Sequence, residues 1–198
     1  VQGDLGTMAD ACELMIVKAD AVGDVPLATR GRVNLGFALN YIGMFDKAQS
    51  MLERACADAR SVRMAPLEGF ALHNRGMSLA RLGHYDEALS DQRAARQVAE
   101  TIGNKNLLCA TQQYEAICLA WRGGVDDLNL ALTLARKARD TAENQPSMRW
   151  GAAEAAVASL IGPPPRAAPF PAAGTSRKNC SSPLRSPVKC AGTPGVGR

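Results

Sequence analysis

Two stretches, LGHYDEALSDQRAAR at residues 82–96 and IGMFDKAQSMLERAC at 42–56, carry one pattern forty residues apart. Gly43, Phe45, Asp46 and Ala48 return in register as Gly83, Tyr85, Asp86 and Ala88. A fixed period between about 20 and 50 residues marks repeat architectures, in which each unit buries its apolar face only by stacking on its neighbours. The period therefore decides the fold class before any single residue does.

Working outward, the prolines ahead of residue 163 are Pro26, Pro66 and Pro146, spaced by forty and then eighty, with Asn106 at the missing step. Proline suits the first turn of a helix, where its absent N–H costs nothing, and Asp24, Asn104 and Asn144 stand two residues ahead as caps. From these starts PLATRGRVNLGFALNYIG, PLEGFALHNRGMSLARLG, NLLCATQQYEAICLAWRG and PSMRWGAAEAAVASLIGP align without a gap. Gly43, Gly83 and Gly123 are placed as helix stops, and Asp46, Asp86 and Asp126 as the openings of second helices. Each unit reads as a helical hairpin. Gly36, Gly76, Ala116 and Ala156 fall where two helices approach, while Ala48, Ala55, Ala88 and Ala95 mark the second helix at intervals of seven. The third unit needs about three extra residues before Ala131 and Ala138 resume that interval, which predicts a longer turn or an added half-turn of helix. LGTMADA, residues 5–11, matches LGHYDEA, so the chain is expected to open at the end of a first helix; with Val at position 1, this reads as a piece of a longer protein.

The expected fold is thus all-α, an α-solenoid of antiparallel helical hairpins over residues 1–162: half unit 1–23, units 24–63, 64–103 and 104–143, and half unit 144–162. Residues 163–198 read differently. They hold eight of the eleven prolines and six basic residues with no acidic one, whereas residues 1–162 carry 17 Lys and Arg against 19 Asp and Glu. So few bulky apolar side chains cannot offset chain entropy, and a disordered C-terminal tail is expected.

No apolar run approaches the roughly 20 residues a membrane helix needs. The six cysteines form no C-x-x-C pair; Cys12, Cys56, Cys109 and Cys118 fall in helical patterns as small apolar residues, and Cys180 and Cys190 lie in the tail with no histidine near. Reduced thiols lead to the expectation of an intracellular, cytoplasmic setting.

These residues resemble tetratricopeptide repeats. Leu35-Gly36, Leu39, Gly43, Phe45, Ala48, Leu52 and Ala55 follow that family's spacing, and Gly76, Leu79, Gly83, Tyr85, Ala88 and Ala95 follow it again. The third unit matches through Leu119, Gly123, Ala131 and Ala138, so the resemblance covers about residues 1–162. Two departures stand out: Arg32 and Leu72 occupy the family's tryptophan position, and the period is forty where the family's is about 34. Forty also suits armadillo and HEAT repeats, but the glycine-to-alanine intervals inside each unit favour tetratricopeptide repeats. Long-helix variants resemble the sensor arrays of bacterial multidomain regulatory ATPases and transcriptional activators. The resemblance implies a right-handed superhelix whose first helices line a concave face.

Catalytic signatures are absent: there is no phosphate loop, no H-E-x-x-H and no G-x-G-x-x-G after a strand. GMSLA, residues 76–80, lacks the second glycine of a nucleophile elbow and sits within a helical pattern. His73 and His84 have no Cys or carboxylate at ligand spacing and read as surface or groove histidines. The acidic pairs at Asp86 and Asp126 stand at helix starts, where they complement the helix dipole. No enzyme, cofactor or metal is expected.

Recognition remains, through the extended concave surface that stacked hairpins form. Carried over from the resembled family, the inward positions are Arg30, Asn34, Phe37 and Tyr41, then Phe70, His73, Asn74, Met77 and Arg81, then Gln113, Ile117 and Trp121. Asn34 and Asn74 are the sharpest, since an amide offers donor and acceptor together to the backbone of a bound segment. Val33, Phe37, Ala110 and Tyr114 stand where the family's carboxylate clamp needs Lys, Asn and cations, which disfavours a chaperone-tail receptor. The expected function is a scaffold for a protein or peptide segment, or for another domain of the parent chain. The alternatives are a sensor segment of a multidomain ATPase or cyclase-type enzyme, and weak nucleic-acid binding through the basic tail, where poor provision for stacking disfavours the latter.

Overall fold

The computed structural model describes residues 4–143. The half unit 144–162, with Asn144, Pro146 and Ala156, and the tail with Cys180 and Cys190 lie outside the described residues.

Among the described residues the chain forms seven α-helices: α1 (Leu5–Val22), α2 (Val25–Ile42), α3 (Phe45–Ser61), α4 (Ala65–Leu82), α5 (Tyr85–Thr101), α6 (Lys105–Arg122) and α7 (Asp127–Glu143). Every helix packs on the next. In addition α2 meets α4 and α4 meets α6, so the first helices of successive hairpins lie side by side. The result is an all-α solenoid of antiparallel hairpins. None of these helices is long and apolar enough to cross a membrane.

Local chemistry explains the boundaries. Asp24 Oδ1 accepts from the Leu27 N–H and Asn104 Oδ1 from the Leu107 N–H, both at 3.0 Å, satisfying donors that an α-helix leaves orphaned. Pro26 and Pro66 sit in first turns. Gly43, Gly83 and Gly123 end the first helices in the left-handed region at φ 87°, 88° and 72°. Gly23 and Gly103 do the same for α1 and α5, but at the matching step after α3 the residue is Arg63, with φ 55°. The lengthened turn of the third unit is also present: Gly123 to Asp126 separate α6 from α7, whereas two residues suffice at 43–44 and 83–84. One expectation needs correction. Leu5 and Gly6, read as the end of a first helix, lie in the opening turn of α1, because the Asp4 carboxylate caps it by accepting from the Gly6 N–H and the Thr7 hydroxyl.

The core is a column of small residues against larger ones. Ala48, Ala55, Ala88, Ala95, Ala131 and Ala138 are all fully buried. Opposite them the first helices vary in compensation. A Cβ at Gly36 would overlap Leu52, and one at Gly76 would meet Gln92 Nε2 at 2.5 Å. Ala116 packs in one cluster with Ala135. Glycine is thus present in the first two units where the second helix supplies Leu52 or Gln92.

Charged side chains pin the junctions. Arg32, buried at the position where Leu72 stands one unit later, pairs with Asp20 of α1 at 2.5 Å and with Asp58 of α3 at 3.0 Å. In the next unit Arg75 forms a two-bonded pair with Asp91, both bonds at 2.7 Å, and lines one small cavity with Glu53 of α3. In the third, the buried Glu115 carboxylate meets Arg93 at 3.0 Å and Arg96 at 3.3 Å, both of α5.

Candidate functional site

The aligned first helices α2, α4 and α6 wall a concave cavity of about 680 Å³. Eight of the sequence-expected site residues line it: Asn34, Phe37, Tyr41, Phe70, His73, Asn74, Met77 and Gln113. Met8, Val33, Leu67, Ala110 and Tyr114 complete the wall. Arg30, Arg81, Ile117 and Trp121 are not part of it. Arg30 is exposed and Ile117 is buried. The Arg81 guanidinium lies 5.1 Å from the Trp121 ring centroid and 5.9 Å from that of Phe45, so the aromatic faces of two neighbouring units already hold its charge.

Several of the added residues were within reach of the repeat. Tyr114 stands forty residues after Asn74, as Asn74 does after Asn34, and Val33 precedes His73 by one such step and Gln113 by two.

A buried polar knot fixes the spacing of the first two walls. Asn40 donates from Nδ2 to the Asn74 carbonyl at 2.8 Å; the Ser78 hydroxyl donates to Asn40 Oδ1 at 2.7 Å. This uses up Ser78, the serine of the GMSLA stretch, deep within α4. Behind the wall, His73 Nδ1 pairs with Gln92 Oε1 at 2.9 Å while Gln92 Nε2 donates to the His73 carbonyl at 2.9 Å. Burial lowers the His73 pKa from its ordinary 6.5 to about 4, so the ring is neutral near pH 7. His73 is therefore a satisfied, buried histidine on the cavity wall, not the surface residue its helix position also allowed; its ring meets Tyr114 edge-on at 5.3 Å.

The remaining amides are different. Asn74 and Gln113 are 5% and 6% exposed and Asn34 is half-buried, yet no side-chain hydrogen bond engages any of the three among the described residues. Their amide atoms reach the solvent in the cavity, since among the described residues the buried side-chain atoms without a hydrogen-bond partner are Asp58 Oδ2, Arg96 Nε and Glu115 Oε2. Around the three amides the Phe37 and Tyr41 rings pack tilted at 44° with centroids 4.6 Å apart, and Phe37 is 36% exposed. The wall contains no Asp, Glu, Lys or Arg.

The outer face has another character. A cavity of about 710 Å³ between α1, α2 and α3 has an apolar floor of Ile16, Leu35 and Leu39 under Asp10, Glu13, Asp46, Lys47 and Arg54. The acidic residues at the start of α7 serve structure: Arg122 donates to Asp86 at 2.6 Å and to both Asp127 oxygens at 2.7 and 2.8 Å, which holds the Asp127 carboxyl below its usual pKa. Among the described residues no group of three His, Cys, Asp or Glu is placed to hold a metal ion.

No family model matches the chain, and no curated protein does.

Proposed function

We propose that the chain is a tetratricopeptide-type interaction scaffold whose α2, α4 and α6 groove holds a segment of another protein or of another domain of its parent. The observation that carries this reading is the set of uncommitted amides, Asn34, Asn74 and Gln113, on a concave wall that also presents Phe37, Tyr41 and Phe70. Aromatic and apolar side chains supply contact area, and each amide supplies a donor and an acceptor. Four buried, free cysteines in the described body suit work in a reducing cytoplasm.

The test is selection of binding peptides from a random display library by the full chain, followed by substitution. Asn74→Ala is expected to weaken a selected peptide by about 1 to 3 kcal/mol, the range for a buried partner group left without its hydrogen bond, with far-UV circular dichroism unchanged. Should binding persist in Asn74→Ala and Phe70→Ala but vanish when Arg166, Arg177, Lys178, Arg185, Lys189 and Arg198 are neutralised, the groove reading fails and electrostatic binding by the tail replaces it.

A further inference from the structure

We propose that the outer cavity bounded by α1, α2 and α3 is a second binding site, one that takes a small organic cation with an apolar body. It shares no lining residue with the inner groove.

The repeat supplies the comparison. Between α3, α4 and α5 lies a cavity of about 270 Å³, and each residue of its lining has its counterpart forty residues earlier in the lining of the larger cavity, of about 710 Å³. In the second unit the space is narrowed by the Arg75 guanidinium, which donates twice to Asp91 at 2.7 Å. In the third, Glu115 stands at the same step as Arg75 and meets Arg93 at 3.0 Å and Arg96 at 3.3 Å. The first unit has Leu35 for Arg75, Met51 for Asp91 and Ile16 for Cys56. Apolar side chains cannot bond across the gap, and the gap stays open. Among the described helices only α4 packs on both α3 and α5, so no stacked helix covers the counterpart of this cavity in the second unit.

Volume, floor and charge define the occupant. About 710 Å³ lies within the roughly 300–1,000 Å³ of small-molecule sites. Ile16, Leu35 and Leu39 form a floor on which an apolar body leaves water. The rim sets the sign. Arg32 is held by Asp20 and by Asp58, and Arg54 approaches Asp58 at 3.9 Å. Asp10, Glu13 and Asp46 remain against Lys47, and among the described residues none of these three carboxylates has an ion-pair partner. Three carboxylates against one ammonium leave two negative charges uncompensated at the mouth. All three are exposed, so a cationic head meets them while keeping part of its hydration, and an anionic head is repelled.

The experiment is isothermal titration of the full chain with decyltrimethylammonium and with decyl sulfate, both below micelle-forming concentration. The two probes share one apolar chain and differ in the sign of the head. A single decyltrimethylammonium is expected per chain, bound roughly tenfold more tightly than decyl sulfate, or better. Leu35→Arg combined with Met51→Asp transplants the Arg75 and Asp91 pair of the second unit and should abolish binding with far-UV circular dichroism unchanged. Asp10→Asn, Glu13→Gln and Asp46→Asn together alter exposed side chains alone, so they decide the matter even where the transplanted pair disturbs folding; they should erase the preference for the cation. Phe70→Ala, in the inner groove, should leave the titration as it was. Absence of cation binding, equal affinity for the two heads, or cation binding that survives the transplanted pair in a folded chain overturns the inference and leaves the inner-groove reading standing. A dimer that dissociates on the same transplant also overturns it, since a second copy would then fill the cavity.

Discussion

Substituting Gly76 with alanine sets two opposing effects against each other at the tightest helix contact of the second unit. An interior glycine costs an α-helix up to about 1 kcal/mol relative to alanine, so propensity alone predicts stabilisation. The new Cβ, however, would lie 2.5 Å from Gln92 Nε2 and 3.2 Å from the Ala88 carbonyl oxygen. Gln92 is fully buried and cannot swing into solvent, and the atom in the way is the one that donates to the His73 carbonyl. Overpacking costs about 1 to 3 kcal/mol, and the buried Gln92 amide displaced from its partners costs a similar amount. Contact outweighs propensity, for a net loss of about 2 to 4 kcal/mol. Urea and thermal unfolding followed by circular dichroism read this directly, at roughly 2–4 °C per kcal/mol for a chain of this size. The double variant Gly76→Ala with Gln92→Ala should recover the packing part of the loss, though not the hydrogen bonds to His73. A single variant as stable as the parent, or more so, would refute the close approach.

Ala88→Phe, at a fully buried second-helix position, should cost at least the 1 to 3 kcal/mol of overpacking, read as a lower denaturation midpoint. Arg63→Gly should raise stability by about 0.5 to 1 kcal/mol in the same assay, since Arg63 holds φ 55° where Gly103 holds 66° and relief of left-handed strain exceeds the added freedom of the unfolded chain. Burial depresses the folded pKa of His73 from 6.5 to about 4, so between those values the unfolded chain binds the extra proton and stability must fall as pH is lowered. The span corresponds to a loss on the order of 3 kcal/mol; His73→Gln, which takes the residue found at Gln113, should unfold with a correspondingly flatter dependence on pH over that window.

The hairpins were legible because their signals are local and repeated: capping by Asp24 and Asn104, left-handed glycines at 43, 83 and 123, and alanines at intervals of seven each state their role within one unit. Repetition also placed the inner wall, since helical faces recur with the period, and eight of the twelve expected site residues share one cavity. What escaped depends on partners distant in sequence. Nothing near Arg81 announces that Phe45 and Trp121 will flank it, and nothing in ALNYIG or GMSLA announces that Asn40 will reach the Asn74 carbonyl across 34 residues. The start of α1 was misjudged for a related reason: LGTMADA copies a turn by composition, but the capping oxygen of Asp4 lies one residue ahead of it.

The charges at the junctions bear on assembly. Where α4 adjoins α3, Arg75 of the later unit shares a cavity with Glu53 of the earlier one; where α6 adjoins α5, Glu115 of the later unit meets Arg93 of the earlier one. Residues 75 and 53 recur forty residues on as 115 and 93 with their signs exchanged, although Arg75 makes its ion pair with Asp91 of its own unit. Near-identical repeats run the hazard of docking out of order, because the apolar faces of one unit fit those of another almost equally well. Here the exchange makes order self-correcting. If α6 docked on α3 and skipped the second unit, the Glu115 carboxylate would be buried against Glu53 and Cys56 in place of Arg93 and Arg96, at a cost of about 3 to 5 kcal/mol for an uncompensated buried charge. Each unit thus carries an address that its apolar core cannot supply, and a chain built on one phrase still has a single sequence in which its hairpins assemble.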